Sequence, residues 1–158
     1  MRTQIFLTAI ACALFCITFN GLAQPDNLAE AKLAIEASNA VYFKAFVKND
    51  RNIFIERYAE DCCIMAPGMP AMCGSSAPRE FFRMAYEEFG LRNGKFITQE
   101  VYGDGKEFVT EVGLWQSFDE HGVLYDDGKF LVLWKKTAKG WKMYRDSFSS
   151  NRAIDKQN

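Results

Sequence analysis

The spacing of apolar residues changes period once along this chain, and that change constrains the fold more than any motif does. Leu28, Ala31, Ile35, Tyr42 and Phe46 recur at helical spacing with Glu30, Lys32, Glu36 and Lys44 between them, which predicts a long amphipathic helix over 28–48. Asn49-Asp50 breaks it, and Asp50 is placed to cap a short second helix carrying Ile53, Phe54 and Tyr58. A short strand over 62–66 ends at Pro67-Gly68-Met69-Pro70, and a loop runs to Gly74. Ser76-Ala77-Pro78 opens a third helix that buries Phe81, Phe82, Ala85 and Phe89 and stops at Gly90. From there the alternation is strand-like, over 96–102, 108–118, 129–136 and 141–148, with turns at Gly103-Asp104-Gly105, Glu120-His121-Gly122 and Ala138-Lys139-Gly140. Helices first and consecutive antiparallel strands afterwards define an α+β domain, with a curved antiparallel sheet wrapped around three N-terminal helices.

The chain has 158 residues, enough for one domain, here 28–151, followed by a polar tail over 152–158. Its 14 Phe, 6 Tyr and 3 Trp are too much aromatic surface to leave in water, which excludes wholesale disorder. Nineteen basic against 20 acidic residues leave no basic excess, so no nucleic-acid partner is expected. Arg2, an apolar run over 5–19 and the small residues Gly21 and Ala23 predict a cleavable signal peptide over 1–23. The run is shorter than a membrane span. An exported chain, periplasmic or secreted, is therefore expected to begin at Gln24, without stable membrane insertion. Beyond Cys12 and Cys16, the chain keeps Cys62, Cys63 and Cys73. Two alternatives stand for these: a disulfide from one of the adjacent pair to Cys73, or three small buried hydrophobes.

No phosphate loop, dinucleotide fingerprint, zinc-protease motif or nucleophile elbow is present, so no cofactor is expected. With His121 the sole histidine, no metal set is expected either. What remains is a set of polar residues inside apolar elements. Glu111 among Val109, Val112 and Leu114, and Asp146 on the last strand, are the candidate acid–base groups. Strict alternation puts Arg145 on the face of Trp141 and Met143, where its guanidinium, with the Tyr42 phenol, would fix the polar end of a ligand. Met65, Trp115, Phe130 and Trp134 would provide apolar walls. These residues suit a small hydrophobic or aromatic ligand with a carbonyl or acidic group. The runner-up is an isomerase, lyase or cyclase acting on an enolisable carbonyl compound with Glu111 as base; the third alternative is a dimerising or interaction domain without catalysis. The aromatic-rich outer sheet face predicts a homodimer.

Tyr58-Ala59-Glu60-Asp61, Ala66-Pro67-Gly68, Gly74, Gly128-Lys129-Phe130-Leu131-Val132-Leu133-Trp134-Lys135 and Gly140-Trp141-Lys142-Met143-Tyr144-Arg145-Asp146, in this order of elements, resemble the nuclear transport factor 2-like superfamily. Within it the chain resembles the SnoaL-like and ketosteroid-isomerase-like branch of small domains. The resemblance implies a cone, the cystatin-like arrangement, with a pocket at its wide end and frequent homodimers. It also implies that steroid isomerisation is absent: the position of that family's carboxylate base falls on Ala66 and that of its partner acid near Val132, while its tyrosine falls near Tyr42.

Overall fold

The structure, a computed structural model, describes residues 27–152. The expected signal peptide over 1–23, and nearly all of the polar tail, lie outside the described residues. Helix α1 (Asn27–Tyr42) follows the predicted period and buries Ala31, Ile35 and Tyr42. It is interrupted at Phe43, and α2 (Lys44–Lys48) completes the predicted segment. Asn49 then takes the left-handed conformation, at φ 51°. The Asp50 side chain accepts a hydrogen bond from the Asn52 amide at 3.0 Å, which caps α3 (Arg51–Ile55) as its position predicts. Tyr58 is not helical. It opens strand β1 (Tyr58–Met65), four residues earlier than the alternation suggests. The expected loop holds a two-residue strand, β2 (Met72–Cys73). Helix α4 (Ala77–Arg83) continues into a π-helical turn over Met84–Glu88 before Gly90 turns the chain at φ 69°. Strands β3 (Asn93–Gly103), β4 (Phe108–Phe118), β5 (Leu124–Thr137) and β6 (Gly140–Ser150) complete the domain.

Two features correct the expected cone of three N-terminal helices. Among the described residues only α1, with 16 residues, and α4, with 7, are longer than five-residue turns of helix, and α4 comes after two strands. The six strands run in the order β2-β1-β6-β5-β4-β3, an open sheet whose edges β2 and β3 do not meet. The sheet is mixed, too, because β1 pairs with β6 in parallel while every other pair is antiparallel. A parallel neighbour follows from the intervening crossover: β6 ends a chain of hairpins and returns beside β1, the first strand.

Helices α1 and α4 cover one face of the sheet, and the core lies between them. On β4 and β5 the alternation is regular: Val109, Glu111 and Gly113 on one, and Phe130, Val132 and Trp134 on the other, are buried against the helices. Strand β6 breaks its alternation. Trp134 pairs with Met143 and Leu133 with Arg145, so Tyr144 is an extra residue in a β-bulge. The bulge shifts the phase of every later side chain, putting Asp146 on the helix-covered face and Arg145 on the other. Cys63 and Cys73, paired across β1 and β2, form a disulfide, and Cys62 points into the core as a buried free thiol. Burial pushes that thiol up to about 11, far from a nucleophile's range. Among the described residues no helix is long and apolar enough to cross a membrane.

Candidate functional site

The expected cone pocket is absent, and with it falls the reading of a ligand held in a cone between Tyr42 and Arg145. An open sheet has no enclosed wide end. In its place a cleft of about 280 Å³ lies between the helix-covered face of the sheet and the α4–π segment. Phe81 and Ala85 form its helical wall, and Trp115, Phe130 and Phe148 its floor on the sheet. Two glycines make room for that floor. A side chain on Gly113 would meet the Phe130 ring at 2.7 Å, and one on Gly128 would meet Trp115 Nε1 at the same distance.

Asp146 reaches the cleft from β6 and is only 6% exposed. The Tyr58 hydroxyl donates to its Oδ2 at 2.7 Å. The Tyr42 hydroxyl lies 3.4 Å from that of Tyr58, and because Tyr58 spends its proton on Asp146, Tyr42 is the donor of this pair. The other carboxylate oxygen, Oδ1, accepts no hydrogen bond from any described residue. Burial raises the Asp146 carboxyl from the ordinary 3.8 to about 6; the Tyr58 hydrogen bond opposes the rise and the charge of Glu111 adds to it. Burial, and then the Asp146 charge, hold both phenols well above the usual tyrosine value, so Tyr42 and Tyr58 remain protonated donors.

Glu111 is placed differently. It is fully buried under α1 and does not line the cleft. Asn39 Nδ2 and Thr98 Oγ1 donate to its Oε1 at 2.7 and 2.6 Å, and Trp134 Nε1 donates to its Oε2 at 3.0 Å. Burial raises its carboxyl, and these three hydrogen bonds pull it back. With both oxygens occupied and no path to the cleft, the reading of Glu111 as the base for an enolisable carbonyl is overturned. Arg145 lies on the opposite face, where its Nη1 donates to the carbonyls of Asp61 and Tyr144 and its guanidinium stacks 3.6 Å from the Tyr144 ring centroid.

Of the residues singled out from the sequence, the structure gathers Tyr42, Trp115, Phe130 and Asp146 around the cleft. Met65, Trp134, Arg145 and Glu111 do not line it: Met65 points to the other face of β1 from Ile64, and Trp134 is spent on Glu111. Sequence reasoning missed Tyr58, because β1 shifts register between Tyr58 and Cys63 and shows no clean alternation there. It also missed Ser117 and Asp126, which an alternation count from Phe130 back along β5, and across to its β4 partner, would have found. Among the described residues no three His, Cys, Asp or Glu side chains gather as a metal site.

No protein-family model matches the chain, and no curated protein matches it. Solved structures are similar to it in fold. A ketosteroid isomerase-like protein from Erwinia carotovora atroseptica superposes with a TM-score of 0.62 at 23% identity, over 82% of this chain and 100% of that one. A nuclear transport factor 2-like protein of unknown function from Shewanella oneidensis gives 0.63 at 17% identity, over 75% and 98%. A putative aromatic ring hydroxylase from Novosphingobium aromaticivorans gives 0.62 at 18%, over 79% and 92%. At these identities the likeness is one of fold: the chain has the fold of the nuclear transport factor 2-like superfamily.

Proposed function

We propose that the cleft is an acid–base site in which Asp146 exchanges a proton with a small, mostly apolar molecule. One observation carries the proposal: a buried carboxylate, held by Tyr58, presents at an aromatic-walled cleft an oxygen without a hydrogen-bond partner among the described residues. A carboxyl that titrates near 6 is mostly ionised at neutral pH yet basic enough to take up a proton, the balance that suits a general base which then returns it. Tyr58 orients the carboxylate, and Tyr42 can turn its one proton from the long 3.4 Å contact with Tyr58 to a substrate oxygen where negative charge develops. The SnoaL-like and ketosteroid-isomerase-like branch remains our finer placement, supported by the order of elements and by Tyr42.

The test is solvent-deuterium uptake, followed by NMR, into a panel of small aromatic compounds with an acidic C–H beside an oxygen atom. Uptake is expected to rise with pH through an apparent value near 6 and to fall roughly 100-fold or more in Asp146→Asn. Equal uptake by Asp146→Asn, or none with any compound, overturns the proposal. Two further proposals concern the setting. The Cys63–Cys73 bridge supports work in an oxidising compartment, which intact mass of the native protein checks through the expected start at Gln24. Ile97, 41% exposed, and Leu131, 47% exposed, on the uncovered sheet face support a homodimer, which light scattering checks.

A further inference from the structure

We infer, building on the acid–base reading of the same cleft, that its far end selects a positively charged nitrogen on an aromatic or apolar molecule, with Asp126 as the specificity-determining residue. Asp126 lies six residues from Val132 along β5, and Val132 is the register partner of Asp146. The two carboxylates therefore sit on one face of the sheet, toward opposite ends of the cleft. Asp126 Oδ1 accepts hydrogen bonds from Ser150 Oγ at 2.9 Å and from the Asp127 amide at 2.8 Å. Its Oδ2 accepts none from a described residue. Ser117, buried beside it, spends its hydroxyl proton on the Asp126 carbonyl at 3.1 Å.

Among the described residues the cleft lining contains Asp126 and Asp146 but no lysine, arginine or histidine. The neighbouring cations are engaged by the chain itself: Arg152 stacks over the Tyr125 ring at 4.4 Å, and Arg92 donates to the Tyr86 and Leu91 carbonyls. An anion entering this cleft would lose its water among aromatic walls and meet two carboxylates without a compensating cation. An ammonium group meets the reverse: an open carboxylate oxygen, and the rings of Trp115 and Phe148 for cation–π contact. The expectation of a ligand with an acidic group is thereby inverted.

Calorimetric titration at pH 7.5 with 3-phenylpropylammonium, 3-phenylpropanol and 3-phenylpropionate tests the inference. The ammonium compound should bind at least about tenfold more tightly than the carboxylate. Asp126→Asn should weaken ammonium binding about fivefold or more and leave the alcohol within about twofold, and Asp126→Glu should restore the preference. In the unaltered protein, added salt should weaken the ammonium compound and spare the alcohol, a measurement independent of how any variant folds. The inference is overturned if the carboxylate binds as well as the ammonium, if Asp126→Asn weakens all three alike, or if none binds. The acid–base reading fails separately: absence of deuterium uptake sinks that reading, while an ammonium preference that survives in Asp146→Asn and disappears in Asp126→Asn upholds this one.

Discussion

Two buried carboxylates stand on the same face of the sheet, with Val132 as the register partner of both. Glu111, under α1, is surrounded by three donors that fill both its oxygens. Asp146, two strands away at the cleft, has among the described residues one donor and one unengaged oxygen. Burial raises both carboxyls, so titration alone does not separate them. The number of donors does. A carboxylate whose two oxygens are both engaged by its own chain ties elements together, here α1 through Asn39, β3 through Thr98 and β5 through Trp134. One left with a free oxygen facing a cavity retains the capacity to act on something else.

The largest expected effect lies on the Glu111 side. Glu111→Ala leaves the buried Trp134 indole, and the less buried Asn39 and Thr98, without this acceptor and opens a cavity in the core, and together these should cost about 3–5 kcal/mol of unfolding free energy. Urea denaturation measures it, and Glu111→Gln, which keeps an acceptor, should lose less. Deuterium uptake by the folded fraction should persist in Glu111→Gln. A loss of uptake without loss of stability would reverse the roles assigned to the two carboxylates.

Asp146→Asn should do the opposite at neutral pH. A carboxyl raised in the folded state favours folding fully below its ordinary 3.8, and that contribution is lost as pH rises through about 6. Asparagine keeps the neutral form at every pH. Relative to the unaltered protein, the variant should therefore gain stability from pH 4 to pH 8, by on the order of 3 kcal/mol for a shift of this size. Denaturation at the two pH values checks it. A flat difference would mean that Asp146 is not a strained acid, and the contrast with Glu111 would collapse.

The two halves of the sheet were not equally legible. On β4 and β5, strict alternation groups Val109 with Glu111 and Phe130 with Trp134 while leaving open which face is covered, and the structure turns that face to the helices, because a regular hairpin obeys a period of two. What alternation left open was which buried group had partners, since Asn39 and Thr98 come from elements far away in sequence. On β1 and β6 the period itself failed. The extra residue Tyr144 reversed Arg145 and Asp146, and the register shift after Tyr58 hid the residue that holds the carboxylate. A bulge adds one residue with no compositional mark, so the strands that build the site were the ones the sequence described least well.

Tyr58→Phe sharpens the contrast at a smaller scale. It removes the sole donor to Asp146 among the described residues and should cost about 1–3 kcal/mol at pH 8, where the carboxylate is charged. At pH 5 most Asp146 side chains are protonated, so the cost should shrink. Parallel melts at the two pH values would show this, and a pH-independent cost would mean that Tyr58 acts through ring packing alone.

Arg145→Ala carries the smallest expected effect and tests the bulge most directly. If β6 alternated regularly, Arg145 would stand in the cleft, and its loss would cost a polar ligand a charge-assisted hydrogen bond, roughly 1.5–3 kcal/mol. With Tyr144 inserted, the guanidinium instead lies across the Tyr144 ring and against the Asp61 carbonyl on the far face. Its removal should then lower stability by about 0.5–1 kcal/mol, the range for a half-exposed cation–π and carbonyl contact. Binding of 3-phenylpropanol and 3-phenylpropylammonium should stay within about twofold of the unaltered protein, because the substitution removes nothing from the cleft. A tenfold loss for either probe, with the melting temperature unchanged, would put Arg145 back on the cleft side. The phase assigned to β6, and with it the inward placement of Asp146, would then be wrong.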